Sequence, residues 1–394
     1  MILQLVVLAA AAYVYAVAEL APIGAMPAIA ADLHVSESWV GMLPAAYAFV
    51  SVLSTVPLVR WTAHRPRRQV LVLTLTCLAV SQVLSALAPG LALLAASRVL
   101  CALTHGLMWS IIAPIGARLV PLSHTGRATT AVYVGTSAAL IVGNPLTTSM
   151  SQAWGWRTAI MVIAVAAAAI ALLARMCLPE LEADEVVAGA GRPLRWYGNT
   201  RLATLCIITL IGVTAHFASY TFVVPIIRDV TGTGARGQAM LLGAYGVVGL
   251  VSMAALARAS DKWPRSAMTL TLTVLCLSFW LLTAVASGRS AVLGGATILL
   301  WGACAAVLPP MLQACVIRAC PAHPEYASAV YVTAFQVGIV TGSVGGGFVY
   351  DGHSVVALVA TSAVLFAVAL AGVLGRVGVF RTESGPGSQP ALSR

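Results

Sequence analysis

Apolar residues in this chain come in long unbroken runs rather than in alternation. Twelve such runs occupy 3–31, 39–59, 69–88, 91–117, 128–150, 158–178, 202–227, 237–257, 267–287, 291–317, 326–350 and 354–375. Roughly 20 apolar residues, at about 1.5 Å rise each, cross a hydrocarbon core as a helix. Backbone groups in lipid must bond within their own segment or around a closed barrel, and a barrel needs short alternating strands. Unbroken runs therefore predict an all-α membrane protein of twelve transmembrane helices. The first run, MILQLVVLAAAAYVYAVAEL and onward, has no basic residue before it and is too long for the apolar part of a signal peptide. It reads as a retained helix.

Charge adds an orientation. With the N-terminus inside, Arg157, Arg228, Arg236 and Arg289 fall outside and Arg98 falls within a span, which leaves seventeen of the twenty-two basic residues on the inner side. The positive-inside rule then puts both termini in the cytoplasm, and the Ala-, Gly- and Arg-rich usage with a single lysine, Lys262, suggests a bacterial source and so a bacterial inner membrane. The longest loop, 179–201, follows the sixth run and carries Glu180, Glu182, Asp184 and Glu185 before glycines and arginines. It has the composition of a solvated linker. It divides the chain into an N-terminal six-helix bundle (1–178) and a C-terminal one (202–380), followed by a disordered tail (381–394).

Composition excludes several classes. The chain is 60% hydrophobic and 9% charged, against about 25% charged in soluble domains. Its net charge of +10 lies in short loops between apolar runs, not on one basic face, so no nucleic-acid partner is expected. The eight cysteines sit in the runs or at their inner ends and read as small buried hydrophobes, with neither disulfide nor metal spacing. Gly232, Gly234 and Gly237 match a dinucleotide pattern, but they follow a membrane helix rather than a strand. No Walker loop, nucleophile elbow or His-Glu-x-x-His is present. Neither an enzyme nor a self-contained ATP-driven pump is expected, and no cofactor or metal.

The two halves repeat at an offset of 198 residues: Met42-Leu43 and Ala46-Tyr47 recur as Met240-Leu241 and Ala244-Tyr245, and Ala131–Val134 as Ala329–Val332. Pro27, Pro66 and Arg67 recur as Pro225, Pro264 and Arg265. Several matches in one ungapped register indicate a duplication of six spans, an architecture of transporters whose site lies between the halves near the midplane.

Short motifs at these spans resemble the major facilitator superfamily, in particular its twelve-span drug:proton antiporters near the sugar, arabinose and nucleoside efflux permeases and chloramphenicol exporters. Asp261-Lys262-Trp263-Pro264-Arg265 is similar to the family's gating motif. The first-half copy, with Arg65, Arg67 and Arg68, has Ala63 where the family has aspartate, which implies a weaker charge lock there. Arg98 with His105-Gly106, and Trp154-Gly155-Trp156-Arg157, resemble the family's fourth span and the start of its sixth. Gly143-Asn144-Pro145 resembles its antiporter motif, with Thr147 where glycine is common. The stretch from Ala327 to Gly338 looks like span eleven of this branch. The resemblance implies two six-helix bundles rocking about a central cavity and proton-driven export of a small organic solute, of drug, sugar or nucleoside class, by a monomer. Proton-independent facilitation, proton-coupled uptake and a non-transporting receptor are the alternatives.

The polar residues inside the runs stand on their own chemistry. Of twelve acidic residues, Glu19 alone lies well inside a span. A carboxylate there must be paired, hydrated or protonated, and is a functional candidate. At 1.5 Å per residue it lies roughly 17 Å below the outer surface, between Arg98 at roughly 10 Å and His105 at roughly 21 Å. Arg98 and His105 are seven apart and share a helix face. Glu19, Arg98 and His105 are thus expected to form a proton-coupling cluster, the alternative being a static ion pair that locks spans one and four. His216 and Tyr220, four apart, with Gln313, Gln336 and Asn144, would suit a polar uncharged or amphipathic substrate. For the two glutamines and His216 the alternative is bonding within the bundle, and for Asn144 satisfaction of carbonyls freed by Pro145. Gly338, Gly342 and Gly346 are expected to allow close helix packing.

Overall fold

The computed structural model describes residues 1–35, 39–40, 43–181, 198–286, 290–352 and 354–375. Most of the expected linker and all of the expected tail lie outside these residues. The first half contains α1 (Ile2–Gly24), α2 (Met26–Asp32), α3 (Leu43–Trp61), α4 (Arg67–Ala86), α5 (Leu91–Arg118), α6 (Thr125–Ala138), a π turn (Ala139–Gly143), α7 (Asn144–Trp154) and α8 (Trp156–Cys177). The second contains α9 (Thr200–Tyr220), α10 (Val223–Thr231), α11 (Ala235–Lys262), α12 (Pro264–Ala286), α13 (Ala291–Ala319), α14 (Pro324–Gly352) and α15 (Val355–Gly375). Among the described residues ten helices are long and apolar enough to cross a membrane, and Ala46–Trp61 is a shorter apolar helix. The all-α architecture of two six-helix bundles expected from the sequence is the one observed. Its two large apolar cores fall one in each half, the first drawing in only Ala329 from the other side.

Three runs read as continuous are broken, each at a proline. Pro27 has no N–H for the carbonyl of residue 23, and the first run divides at Ala25. Pro225 does the same for Thr221, and the seventh run divides at 221–222. These prolines are equivalent under the repeat. Pro145 deprives Ile141 of its donor, and the fifth run accommodates this as the π turn at 139–143. Gly143 closes that turn against α1, where a Cβ would collide with Val17.

Close approach elsewhere also depends on missing side chains. A Cβ at Gly338, Gly342 or Gly346 on α14 would press into Val213, the Thr214 carbonyl or the Ala218 carbonyl of α9. Gly232 ends α10 at φ 67°, a left-handed conformation that favours glycine, and Gly234 precedes α11. Tyr331, equivalent to Tyr133 under the repeat, is buried and donates its hydroxyl to Pro309 O at 3.0 Å.

At the end of the molecule away from the basic loops, Asp32 staples three elements. It accepts from Trp156 Nε1 at 3.1 Å and from Arg157, whose Nη2 donates to Ala88 O at 2.9 Å. The Arg157 hydrogen bond holds the Asp32 carboxyl below the usual carboxylate range. A depressed folded-state value contributes stability above the unfolded value near 4, lost as pH falls through the folded value. Both side chains are more than a third exposed, so screening limits the pair to about 1 kcal/mol or less. Asp32→Asn is expected to lower Tm in detergent by about 1–3 °C at pH 7. Tryptophan fluorescence on heating should show that difference shrinking below about pH 4.

Candidate functional site

Pro22 lies inside α1 without an N–H, so the carbonyl of Ala18 has no helical donor. Arg98 of α5 supplies one. Its Nη1 donates to Ala18 O at 2.9 Å and its Nη2 to Glu19 O at 3.1 Å. Its guanidinium also lies 5.0 Å from the centre of the Tyr47 ring. The sequence pointed to Arg98 as the ionic partner of the Glu19 carboxylate. The structure corrects this, because the kinked helix offers carbonyls that need the donors more. Among the described residues the basic side chain within 4 Å of the carboxylate is His105, its Nδ1 3.9 Å from Glu19 Oε2. That Nδ1 is also 2.7 Å from the Tyr47 hydroxyl. Arg98 and His105 are 4% and 3% exposed, while the Glu19 side chain keeps 32%. Glu19 thus faces open space, backed by an imidazole and a phenol. The Tyr47 hydroxyl can donate to or accept from Nδ1, according to the imidazole tautomer.

In the second half, His216 and Tyr220 stack at 5.0 Å on one face of α9. Trp301 of α13, fully buried, stands edge-on to both and donates Nε1–H to His216 Nδ1 at 3.1 Å. An accepting Nδ1 leaves the proton on Nε2, so His216 here is neutral. Tyr245 of α11 completes the group 5.6 Å from Trp301, its approach permitted by Gly302. The result is an uncharged aromatic wall. Sequence reasoning missed Trp301 and Tyr245, although a tryptophan at mid-span, far from the interfacial belt, was a signal. Gln313 does not join them. It is fully buried, donates to Ser328 Oγ at 2.7 Å, and ties α13 to α14. Gln336 is buried on α14. Asn144 and Pro145 open α7, and their side chains lie outside what is described.

At the basic end two carboxylates join the halves. Glu325, in the first turn of α14 and 1% exposed, binds Arg67 Nε at 3.2 Å and Arg118 Nη2 at 2.8 Å. Asp261, ending α11, accepts from Gly126 N at 2.6 Å and Arg127 Nε at 3.0 Å, with Arg318 3.8 Å away. The first amides of α6 thus meet the carboxylate at a helix N-terminus, where the dipole favours it. Positions 63 and 261 are equivalent under the repeat, as are 127 and 325. One node has aspartate at the end of α11 and arginine at the start of α6; the other has Ala63 just after α3 and glutamate at the start of α14. The lock expected to be weakened by Ala63 is therefore present, its acid moved across the interface. Sequence reasoning missed Glu325, Arg118 and Arg127 here. Of the other basic motif residues, Arg65 lies over Trp61, Arg68 reaches Leu178 O and Glu180, Lys262 lies over Trp263, and Arg265 reaches Leu374 O. Among the described residues none of these four makes an ion pair with the opposite half.

The sequence matches the Major Facilitator Superfamily profile over residues 7–339 and again over 205–394. The chain belongs to the Major Facilitator Superfamily. It is a multi-pass membrane transporter of a small molecule. A chloramphenicol efflux pump of Mycobacterium tuberculosis is 52% identical to it over 377 residues, 94% of this chain and 91% of that protein. Among solved structures, the human organic anion transporter TETRAN superposes with a TM-score of 0.77 at 18% identity, covering 94% of this chain and 98% of that one. The E. coli fucose:proton symporter gives 0.77 at 15% identity, with the same coverage. These two show the superfamily fold and no more.

Proposed function

We propose that this transporter exports a small uncharged or amphipathic solute of the chloramphenicol class across a bacterial inner membrane, in exchange for protons. The observation that carries the coupling is the Glu19 carboxylate, part-exposed inside a span with an imidazole 3.9 Å away. The solute class rests on the neutral wall of His216, Tyr220, Trp301 and Tyr245 and on the name of the 52%-identical relative. The halves 1–178 and 202–380 move against each other as bundles, joined by the linker 179–201, and the basic end faces the cytoplasm.

Every ion pair joining the halves among the described residues lies at the basic end, so this arrangement is closed to the cytoplasm. A proton arriving from outside neutralises Glu19 while solute leaves the wall. Loss of the proton inside, after the gate has opened, restores the carboxylate as the next solute binds. Coupling requires that proton and solute bind the two arrangements unequally.

Uptake of radiolabelled chloramphenicol into susceptible bacterial cells tests the reading. Expression of the wild type is expected to lower steady-state accumulation severalfold, and an uncoupler should restore it. Tyr220→Ala removes one face of the aromatic wall, a contact of about 0.5–1.5 kcal/mol, and should raise the half-saturating concentration about 2- to 12-fold. Unchanged accumulation with correctly inserted wild type sinks the export reading.

A further inference from the structure

Arg65, Arg68 and Arg175 converge on a groove where the start of α4 meets the end of α8, with a cavity volume of about 450 Å³. Deeper in the membrane the same groove is lined by Val72, Leu73 and Thr76 of α4. Gln69, Leu73, Thr76 and Val80 are exposed at helical spacing, so among the described residues nothing covers this face of α4, which is free to look onto hydrocarbon. The groove therefore has a cationic mouth at the membrane boundary and an apolar floor.

None of the three arginines serves the lock between the halves. Arg65 lies 5.6 Å from the ring of Trp61, an exposed tryptophan at the end of α3 of the kind found at membrane interfaces. Arg68 spends one nitrogen on Leu178 O at 3.2 Å and another on Glu180 Oε1 at 2.8 Å. Arg175 is exposed, with no carboxylate within 4 Å among the described residues. Among the described residues the groove sets three guanidinium groups against the one carboxylate of Glu180, an excess of two positive charges.

We propose that this groove binds the headgroup of an anionic phospholipid, with an acyl chain lying along Leu73 and Thr76. Guanidinium groups match phosphate oxygens in pairs, and basic pockets beside membrane helices at the cytoplasmic leaflet suit such headgroups. A soluble anion would use the cationic mouth and leave the apolar floor empty, whereas a lipid uses both. The chain gives the site a structural consequence. Arg65 and Arg68 flank Arg67, so a headgroup on the outer pair holds from the lipid side the same turn that Arg67 holds from within.

Native mass spectrometry of the full-length protein in mild detergent tests this by counting retained lipid during titration with dioleoylphosphatidylglycerol or dioleoylphosphatidylcholine. The wild type is expected to retain one phosphatidylglycerol with about tenfold preference. Arg175→Gln, which breaks no ion pair among the described residues, should weaken it about fivefold. Leu73→Trp keeps every charge but fills the floor, and should also abolish the retained lipid. Arg265→Gln removes an equal charge from the other half and should leave retention unchanged. Retention equal to wild type in both Arg175→Gln and Leu73→Trp overturns the site. So does displacement of the lipid by excess inorganic phosphate, which would mark a soluble-anion site.

Discussion

Glu325→Gln is expected to unlock the basic end. The substitution keeps the shape of the side chain but leaves Arg67, 1% exposed, without its carboxylate. Breaking a buried pair by removing one partner costs about 3–5 kcal/mol. The cost falls only on the arrangement in which α14 meets α4 and α5, because opening the gate hydrates both arginines. The population should therefore shift toward the cytoplasm-open arrangement by about 150- to 5,000-fold. Spin labels on the two halves at the basic end would report this as a longer distance in the variant. Ala63→Asp in the same background returns an acid to the position equivalent to Asp261, next to the Thr62 carbonyl that Arg67 Nη1 already binds at 3.1 Å. It should recover part of the closed population. Identical distance distributions in wild type and Glu325→Gln would mean that packing alone closes the gate.

Glu19→Gln is expected to abolish concentrative transport while sparing exchange. One proton exchanged per solute across two pH units supplies about 2.7 kcal/mol, enough for a roughly 100-fold solute gradient. Glutamine cannot carry that proton, so in proteoliposomes the gradient should fall to about one. Exchange of labelled for unlabelled solute moves no net proton and should stay within a few-fold of wild type. Arg98 is bound to the carbonyls of Ala18 and Glu19, so its removal should damage folding rather than show this split.

The spans were legible because lipid demands runs of about 20 apolar residues. The breaks inside three of them were not read, although the prolines that cause them were visible and two recur under the repeat. Periodicity reports which residues avoid water, whereas a break depends on one missing N–H. The same effect redirected Arg98. Depth along the helices put it beside Glu19, but only the orphan carbonyl before Pro22 explains which atoms it takes. Glu325 was hidden for another reason. It reads as a loop acid at the start of a span, and its partner Arg67 is 258 residues away. The available signal was comparative: Ala63 against Asp261, and Arg127 against Glu325, are opposite charge patterns at equivalent positions. Trp301 was passed over among apolar residues although it is the donor that fixes His216.

Proton flux in everted membrane vesicles tests the coupling at Glu19 most directly. A pH-sensitive dye follows an imposed gradient, acid inside, as chloramphenicol is added to vesicles carrying wild type or Glu19→Gln. Collapse of the gradient in wild type but not in Glu19→Gln is the expected result. Equal chloramphenicol movement in both, with no proton movement in either, would contradict it and leave Glu19 a structural residue in a facilitator.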